Sequence, residues 1–405
     1  MRTPLEAVSI ILDATSHRRG EEPVALDAAV GRVLARAVRS DLDLPPFDRS
    51  AMDGFAVRRE DFAGLAEGDG VALRVLGEAR AGEPFAGEVA PGSCVEIYTG
   101  GEVPASCDAV VMVERSRREG DLVHLTDRPR ERQHVCERGE DLREGEVVLE
   151  AGSRITPATI SVLASVGCDP VPVVPRPRVA ILTSGDELVA PTERPGPGQI
   201  RESNTLHLAA LATAAGAEVV HCGVVRDDLD GLTRTFAEAL EACDVLVTTG
   251  GVSMGKYDLV GEALGRVGVE KIFHKVAVKP GKPVWFGRAG ERLVFGLPGN
   301  PVSCWVGLEL FVRPALAKLS GLPEADWQRP LRQGRWTGKE TRPLDREQNL
   351  PASVRQGEDG VDELEAVRWK GSGDLVGLSR ASALVVVPPG AVLRAGDPVR
   401  FQPIA

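Results

Sequence analysis

The chain has 405 residues, 43% of them hydrophobic, with 45 glycines, 29 prolines and a formal net charge of −11. That length exceeds one ordinary domain, and the apolar share with only moderate charge excludes a mainly disordered chain. The acidic balance argues against a general nucleic-acid or membrane-surface binder, which needs an extended basic face, so an anionic ligand must meet a local cationic cluster.

The N-terminal "MRTPLEAVSIILDAT" has a short apolar stretch broken by Ser9 and closed by Asp13. It reads as neither a signal peptide nor a membrane span, and a cytoplasmic location is expected. Residues 4 to 17 and 27 to 38 carry apolar positions at helical spacing. Between Asp41 and Asp48 the prolines of "LDLPPFDRSAMDGFAVR" stop any helix. From there to about Gly139, short runs such as "VALRVLGEA", "SCVEIYTGG" and "CDAVVMVE" predict a small β-rich unit. "TPATISVLASVG" predicts a helix capped by Thr156, with Pro157 in its first turn.

After the linker "DPVPVVPRPR", strand-like and helix-like stretches alternate through "RVAILTS", "NTLHLAALATAAGA", "EVVHCGVV", "DLDGLTRTFAEALEAC", "DVLVTTGG" and "LVGEALGRVG". This pattern predicts a doubly wound, mostly parallel α/β sheet covered on both faces, with ligands at the carboxyl ends of its strands. The last eighty or so residues return to β texture and predict a small C-terminal β-barrel. The expected organisation is therefore a multi-domain α/β chain in three parts. Residues 1–176 form an N-terminal region with helical parts at about 1–40 and 140–176 and a β-rich insert at about 41–139; 177–325 form the central α/β domain; 326–405 form the barrel. The seven cysteines include no C-x-x-C pair, which points to a reducing compartment and no zinc site.

The segment "GGVSMGKY" satisfies the G-x-x-x-x-G-K part of a nucleotide-binding loop, but Tyr257 stands where such a loop needs a magnesium-binding hydroxyl. It reads either as a phosphate-binding turn of another kind or as a plain glycine-rich strand-to-helix turn. Asp186, Glu187, Asp227, Asp228 and Asp258 all fall just beyond strand ends on the same predicted edge, where carboxylates can converge on Mg²⁺ or merely cap and face solvent. "KVAVKPGKP" gathers Lys275, Lys279 and Lys282, with Lys275 and Lys279 on one strand face by parity. Two ammonium groups so presented suit an oxyanion, or else guard a sheet edge. In "GLPGNPVS", Ser303 precedes a helix as an anion contact or as its N-cap.

Taken in order, "LPPFDRSAMDGFAVR", "IYTGGEVPASCDAVVMVE", "RGEDLREGEVVLEAGSRITPATISVLASVG", "ILTSGDEL", "GVVRDD", "TTGGVSMGKYD", "KVAVKPGKP", "GLPGNPVS" and "KGSGD" resemble the molybdopterin molybdenumtransferase family, that of MoeA and the gephyrin E domain. The resemblance implies an enzyme that inserts molybdate into adenylylated molybdopterin and releases AMP, using Mg²⁺. It implies catalytic roles for Asp53, Asp141, Asp227, Asp258, Lys275 and Lys279; substrate contacts at Thr99, Ser253, Lys282, Ser303, Arg346 and Ser372; and metal contacts at Asp186, Glu187 and Asp258. The local "RPLDREQNLPA" departs from the family pattern, so the oxyanion-binding arginine is Arg346 or Arg342. The resemblance further implies a homodimer and allows contact with the enzyme that adenylylates molybdopterin, while the acidic charge leads us to expect no nucleic-acid or membrane partner. The competing non-catalytic reading is a molybdopterin-binding scaffold or carrier, which has no need of the full lysine and acid set.

Overall fold

The computed structural model describes residues 1–16, 20–65, 69–251, 259–368 and 370–404. The chain divides into two compact units, one of Ala37–Ala151 with Pro157–Val171, the other of Met1–Arg36, Gly152–Thr156 and Pro172–Ala405.

The larger unit opens with helix α1 (Pro4–Ala14). Thr3 and Glu6 form a reciprocal cap: the Glu6 N–H donates to the Thr3 hydroxyl at 3.2 Å and the Thr3 N–H donates to the Glu6 carboxylate at 2.8 Å. Pro4 suits the first turn, whose N–H groups have no helical partner. The helix stops short of the end of its apolar pattern: Thr15 is extended, and its side chain turns back to donate to the Ile11 carbonyl at 2.7 Å.

The second stretch with helical spacing is not a helix. Only Leu26–Ala28 form a single 3₁₀ turn. Gly31 then takes φ of +81°, which breaks a helix, and Val33 and Leu34 bridge instead to Arg154 and Val173. The β-branched valines fit such pairing well, and long-range bridges outweigh the local period. The expected helical character of residues 140–156 is also absent, with Val147–Leu149 in a strand.

The smaller unit is built on β1 (Gly54–Val57), β2 (Val71–Ala79), β3 (Ser93–Ile97), β4 (Ala109–Met112), β5 (Ser116–Glu119) and β6 (Leu122–Leu125), in the spatial order β4-β1-β3-β2-β6-β5. Phe55, Val57, Leu73, Val111, Val123 and Leu125 close one core against it. Gly54 is required where β1 meets β4, since a Cβ there would lie 2.0 Å from the Val111 carbonyl oxygen. Helix α2 (Pro157–Ser165) completes the unit, with Pro157 as its first residue.

The larger unit then runs through β7 (Arg178–Ser184), α3 (Asn204–Ala214), β8 (Glu218–Val225), α4 (Leu229–Ala242), β9 (Val245–Thr249), α5 (Leu259–Arg266), β10 (Glu270–His274), β11 (Val278–Lys279), β12 (Trp285–Ala289) and β13 (Arg292–Leu297). The sheet order is β8-β7-β9-β13-β12-β10. The first four strands are parallel, while β12 runs against both β13 and β10. Strand parity divides the core: Val179, Ile181, Val245, Val247 and Phe295 pack with α1 and α3, and Ala180, Leu182, Leu246 and Val294 pack with α4 and α5. Helix α6 (Pro301–Gly307), a π turn and α7 (Arg313–Leu319) follow and complete the first of these faces.

Strands β14 (Arg332–Trp336), β15 (Glu347–Gln356), β16 (Asp362–Ala366), β17 (Ala383–Val387) and β18 (Pro398–Pro403), with the short helix α8 (Leu375–Leu378) before β17, form the end of the chain. They close on themselves in the order β15-β16-β14-β18-β17-β15, a five-stranded barrel filled by Trp336, Leu364, Val385 and Phe401. Strand β11, between β10 and β12 in the chain, pairs in parallel with the start of β15 and so adds to the barrel sheet.

Candidate functional site

In the central sheet β8 and β9 flank β7, so the chain leaves β7 in one direction and returns past it in the other. Such a reversal opens a crevice at the carboxyl ends of β7 and β9. Asp186 and Glu187 follow β7, and Asp227 follows β8. The Asp227 N–H donates to Asp186 Oδ1 at 3.4 Å, which ties the two loops together. The Asp227 carboxyl titrates above the usual carboxylate range. Loss of water is the main cause, and the Asp186 and Glu187 charges add to it, against a downward pull from the Ser184 hydroxyl. Asp228 instead caps α4, accepting the Gly231 N–H at 2.7 Å.

The β9 end is built to come close. Gly250 and Gly251 have φ of +87° and +62°, and a Cβ on Gly250 would stand 2.4 Å from the Ser184 carbonyl oxygen. Gly250→Ala is therefore expected to cost about 2–4 kcal/mol through clash and left-handed backbone strain. Denaturant melting would show it. Gly265→Ala, in α5 with nothing within 4 Å of its Cβ, is the control that should hold or gain stability. The rest of the glycine motif, with Ser253, Lys256, Tyr257 and Asp258, lies outside the described residues.

Across the crevice the "GLPGN" loop is held by hydrogen bonds that the sequence did not reveal. The Thr249 hydroxyl donates to the Pro298 carbonyl at 3.0 Å, and Asn204 Nδ2 donates to the Gly299 carbonyl at 2.7 Å. Asn204 Oδ1 is buried without a protein partner among the described residues. Glu202, 6% exposed, accepts the Thr205 N–H at 2.7 Å. The run "ESNT" at a strand-to-helix junction was the available signal for this polar cluster.

The lysine motif is not one continuous strand: only Val278–Lys279 pair as β11, between turns. Lys275 has φ of +72°, its N–H donates to the Val284 carbonyl at 2.8 Å, and the Val276 N–H donates to the Lys282 carbonyl at 3.0 Å. Alternation cannot continue through a residue in the left-handed region, so the expected shared face of Lys275 and Lys279 does not exist. Lys275 is half-buried, while Lys279 and Lys282 are exposed.

Two separate segments meet this turn, and a third meets the helix beside it. Lys279 in β11 lies opposite Gln348 of β15, and the Glu347 N–H donates to the Ala277 carbonyl at 3.1 Å. Arg346, the residue before Glu347, is thereby brought beside the turn; its own Nε lies 3.3 Å from Asp345. A Cβ on Gly281 would lie 3.6 Å from the Ser303 carbonyl, so the turn abuts α6. The Ser372 carbonyl accepts the Val302 N–H at 3.0 Å, which brings the barrel loop to the start of that helix. Ser303 is the third residue of α6 and 4% exposed; the N-cap is Asn300.

In the smaller unit, Asp53 and Thr99 are 46 residues apart but adjacent in space: Asp53 Oδ1 accepts both the Thr99 N–H and hydroxyl at 2.7 Å. These bonds, the backbone one first, hold the Asp53 carboxyl below its usual range. Asp141 is exposed and donates its N–H to the Leu44 carbonyl at 3.0 Å.

The donor set of the crevice suits Mg²⁺, a hard cation that takes oxygen ligands and is commonly held by one or two carboxylates together with substrate phosphates. Among the described residues no three His, Cys, Asp or Glu side chains form a complete metal-holding group. Burial pushes the Cys94, Cys107 and Cys304 thiols up to about 12, which keeps these three protonated near neutral pH.

The fold and these clusters define a class: a doubly wound α/β domain with an acidic switch-point crevice and a cationic turn, joined to a closed β-barrel. Three family models match the chain: the MoeA N-terminal region (domain I and II) over residues 2–167, a probable molybdopterin binding domain over 180–318, and the MoeA C-terminal region (domain IV) over 333–404. A molybdopterin molybdenumtransferase of Bacillus subtilis is 38% identical over 74% of this chain and 71% of its own length. Another from Nostoc is 36% identical over 91% of this chain and 85% of its own. The crystal structure of a molybdopterin biosynthesis moeA protein from Pyrococcus horikoshii OT3 is 31% identical, with a TM-score of 0.84 and full coverage of both chains. The chain belongs to the MoeA family.

Proposed function

We propose that the chain is a molybdopterin molybdenumtransferase that inserts molybdate into adenylylated molybdopterin and releases AMP. The observation that carries the reading is the meeting of the lysine turn, Arg346, the start of α6 and the Ser372 loop beside an acidic crevice. Lys279, Lys282 and Arg346 hold the molybdate dianion, with Ser303 and Ser372 as neutral neighbours. Arg346 is preferred to Arg342 because it adjoins the residue bonded to the turn. Asp186, Glu187 and Asp258 are assigned to Mg²⁺, which when bound supplies charge neutralisation at the pyrophosphate. Asp227, whose backbone N–H is bonded to Asp186, adds its carboxylate beside that group. Ser253 and Lys275 are assigned to the same ligand, while Asp53, Thr99 and Asp141 are assigned from family position. The enzyme acts mainly by positioning and by charge stabilisation, with no covalent protein intermediate.

A homodimer in the cytoplasm is the proposed working form, and the adenylylating enzyme is a proposed partner. Among the described residues no helix is long and apolar enough to cross a membrane. Purified protein given adenylylated molybdopterin, molybdate and Mg²⁺ should release one AMP per molybdopterin consumed, and should not turn over free ATP. Absence of AMP release under all metal conditions would overturn the reading.

A further inference from the structure

On the barrel side of the Ser372 loop lies an open dish of about 540 Å³, whose lining includes Arg368, Lys370, Gly371, Gly373, Asp374 and Arg380. We propose that this dish is a phosphoryl-binding subsite, separate from the lysine turn, that holds a phosphate of the nucleotide-bearing substrate; the substrate assignment rests on the function proposed above.

Charge is the first argument. In a chain of net charge −11, three cations share one dish with a single carboxylate. That carboxylate is already engaged: Asp374 accepts the Gly377 N–H through Oδ1 and the Lys370 N–H through Oδ2, each at 2.9 Å. These two bonds, and then the Lys370 charge, hold Asp374 in its ionised form. Arg368, Lys370 and Arg380 make no ion pair within 4.0 Å among the described residues, whereas the exposed Arg355 and Arg394 of the barrel pair with Glu363 and Glu340. Three cations against the one carboxylate leave the dish a net charge of +2, and an anion of charge near −2 is the ligand that offsets it.

The glycines give the second argument. Gly371 has φ of +134°, which accounts for glycine there by backbone conformation. Gly373 has neither a left-handed φ nor any atom within 4 Å of a Cβ, so neither strain nor crowding requires glycine. Its lack of a side chain leaves the backbone between Lys370 and Asp374 open to approach, as phosphate-binding loops do. The loop is also fixed in place, since the Ser372 carbonyl between these glycines accepts the Val302 N–H. The dish therefore borders the lysine turn's neighbourhood without sharing its cations.

The test is equilibrium binding of pyrophosphate, AMP and molybdate, each alone, to the full chain by calorimetry at fixed ionic strength. The Lys370→Gln, Arg380→Gln double variant should bind pyrophosphate and AMP about a hundredfold more weakly, roughly tenfold per cation removed. Its molybdate affinity and melting temperature should stay those of the parent. Gly373→Val, which keeps every charge, should weaken pyrophosphate severalfold. Unchanged pyrophosphate affinity in the double variant would overturn the subsite, as would an equal loss for all three anions, which marks a merely cationic surface. Neither readout needs AMP release, so failure of the proposed transferase reaction is scored separately.

Discussion

The Lys279→Ala, Lys282→Ala double variant is expected to raise the molybdate concentration needed for half-maximal AMP release by about 10²–10⁴-fold. A hydrogen bond to a charged partner contributes about 1.5–3 kcal/mol, and each 1.4 kcal/mol is a factor of ten, so two such contacts give that range. Both side chains are exposed, and the turn is closed by main-chain bonds from Lys275 to Val284 and from Val276 to Lys282. The variant should therefore melt within about a degree of the parent, as surface substitutions usually do. Saturation kinetics in molybdate at constant ionic strength would check it, with sulfate as competitor. A parent-like molybdate dependence would remove the lysine turn from the oxyanion site and leave Arg346 as the main cation there. Lys282→Arg should keep part of the affinity, since charge is retained while the compact ammonium is replaced by a planar fork.

Lys275 and Lys279 show where a sequence expectation failed. Their residue types and spacing pointed to an oxyanion, but parity assumed an unbroken strand, and the left-handed Lys275 ends one. The central domain was legible because both patterns that define it are local: apolar runs for buried parallel strands and 3.6-residue spacing for the helices between them. Residues 27–38 misled for the opposite reason, since their bridges to Arg154 and Val173 come from far along the chain. No local period reports such a partner. The acids of the crevice were found because they follow strands, whereas Asn204 and Thr249 were missed because their importance lies in carbonyls of a loop about fifty to a hundred residues away. Asp53 and Thr99 were marked only by family resemblance. Their direct bond is a tertiary fact that neither "SAMDG" nor "YTGG" contains.

Asp227→Asn is expected to separate function from stability, because its carboxyl titrates above the ordinary aspartate value of 3.8. Between that value and the raised native one, the folded chain binds more protons than the unfolded chain, so this group's contribution to stability falls as pH rises through the window. At neutral pH the ionised carboxylate, close to Asp186 and Glu187, is a small net burden, screened by salt because the residue is exposed. In metal-free buffer of low ionic strength the variant should melt slightly above the parent at pH 7.5, with the difference vanishing as pH falls towards 4. Millimolar Mg²⁺ should raise the melting temperature of the parent more than that of the variant, because a cation offsets the crowding that Asn has already relieved. AMP release should fall about 10²–10³-fold, the usual effect of removing one preorganised electrostatic contact. A variant that melts lower without metal would show that Asp227 stabilises the loop rather than straining it. Full AMP release by the variant would instead move the essential carboxylate to Asp186 or Glu187.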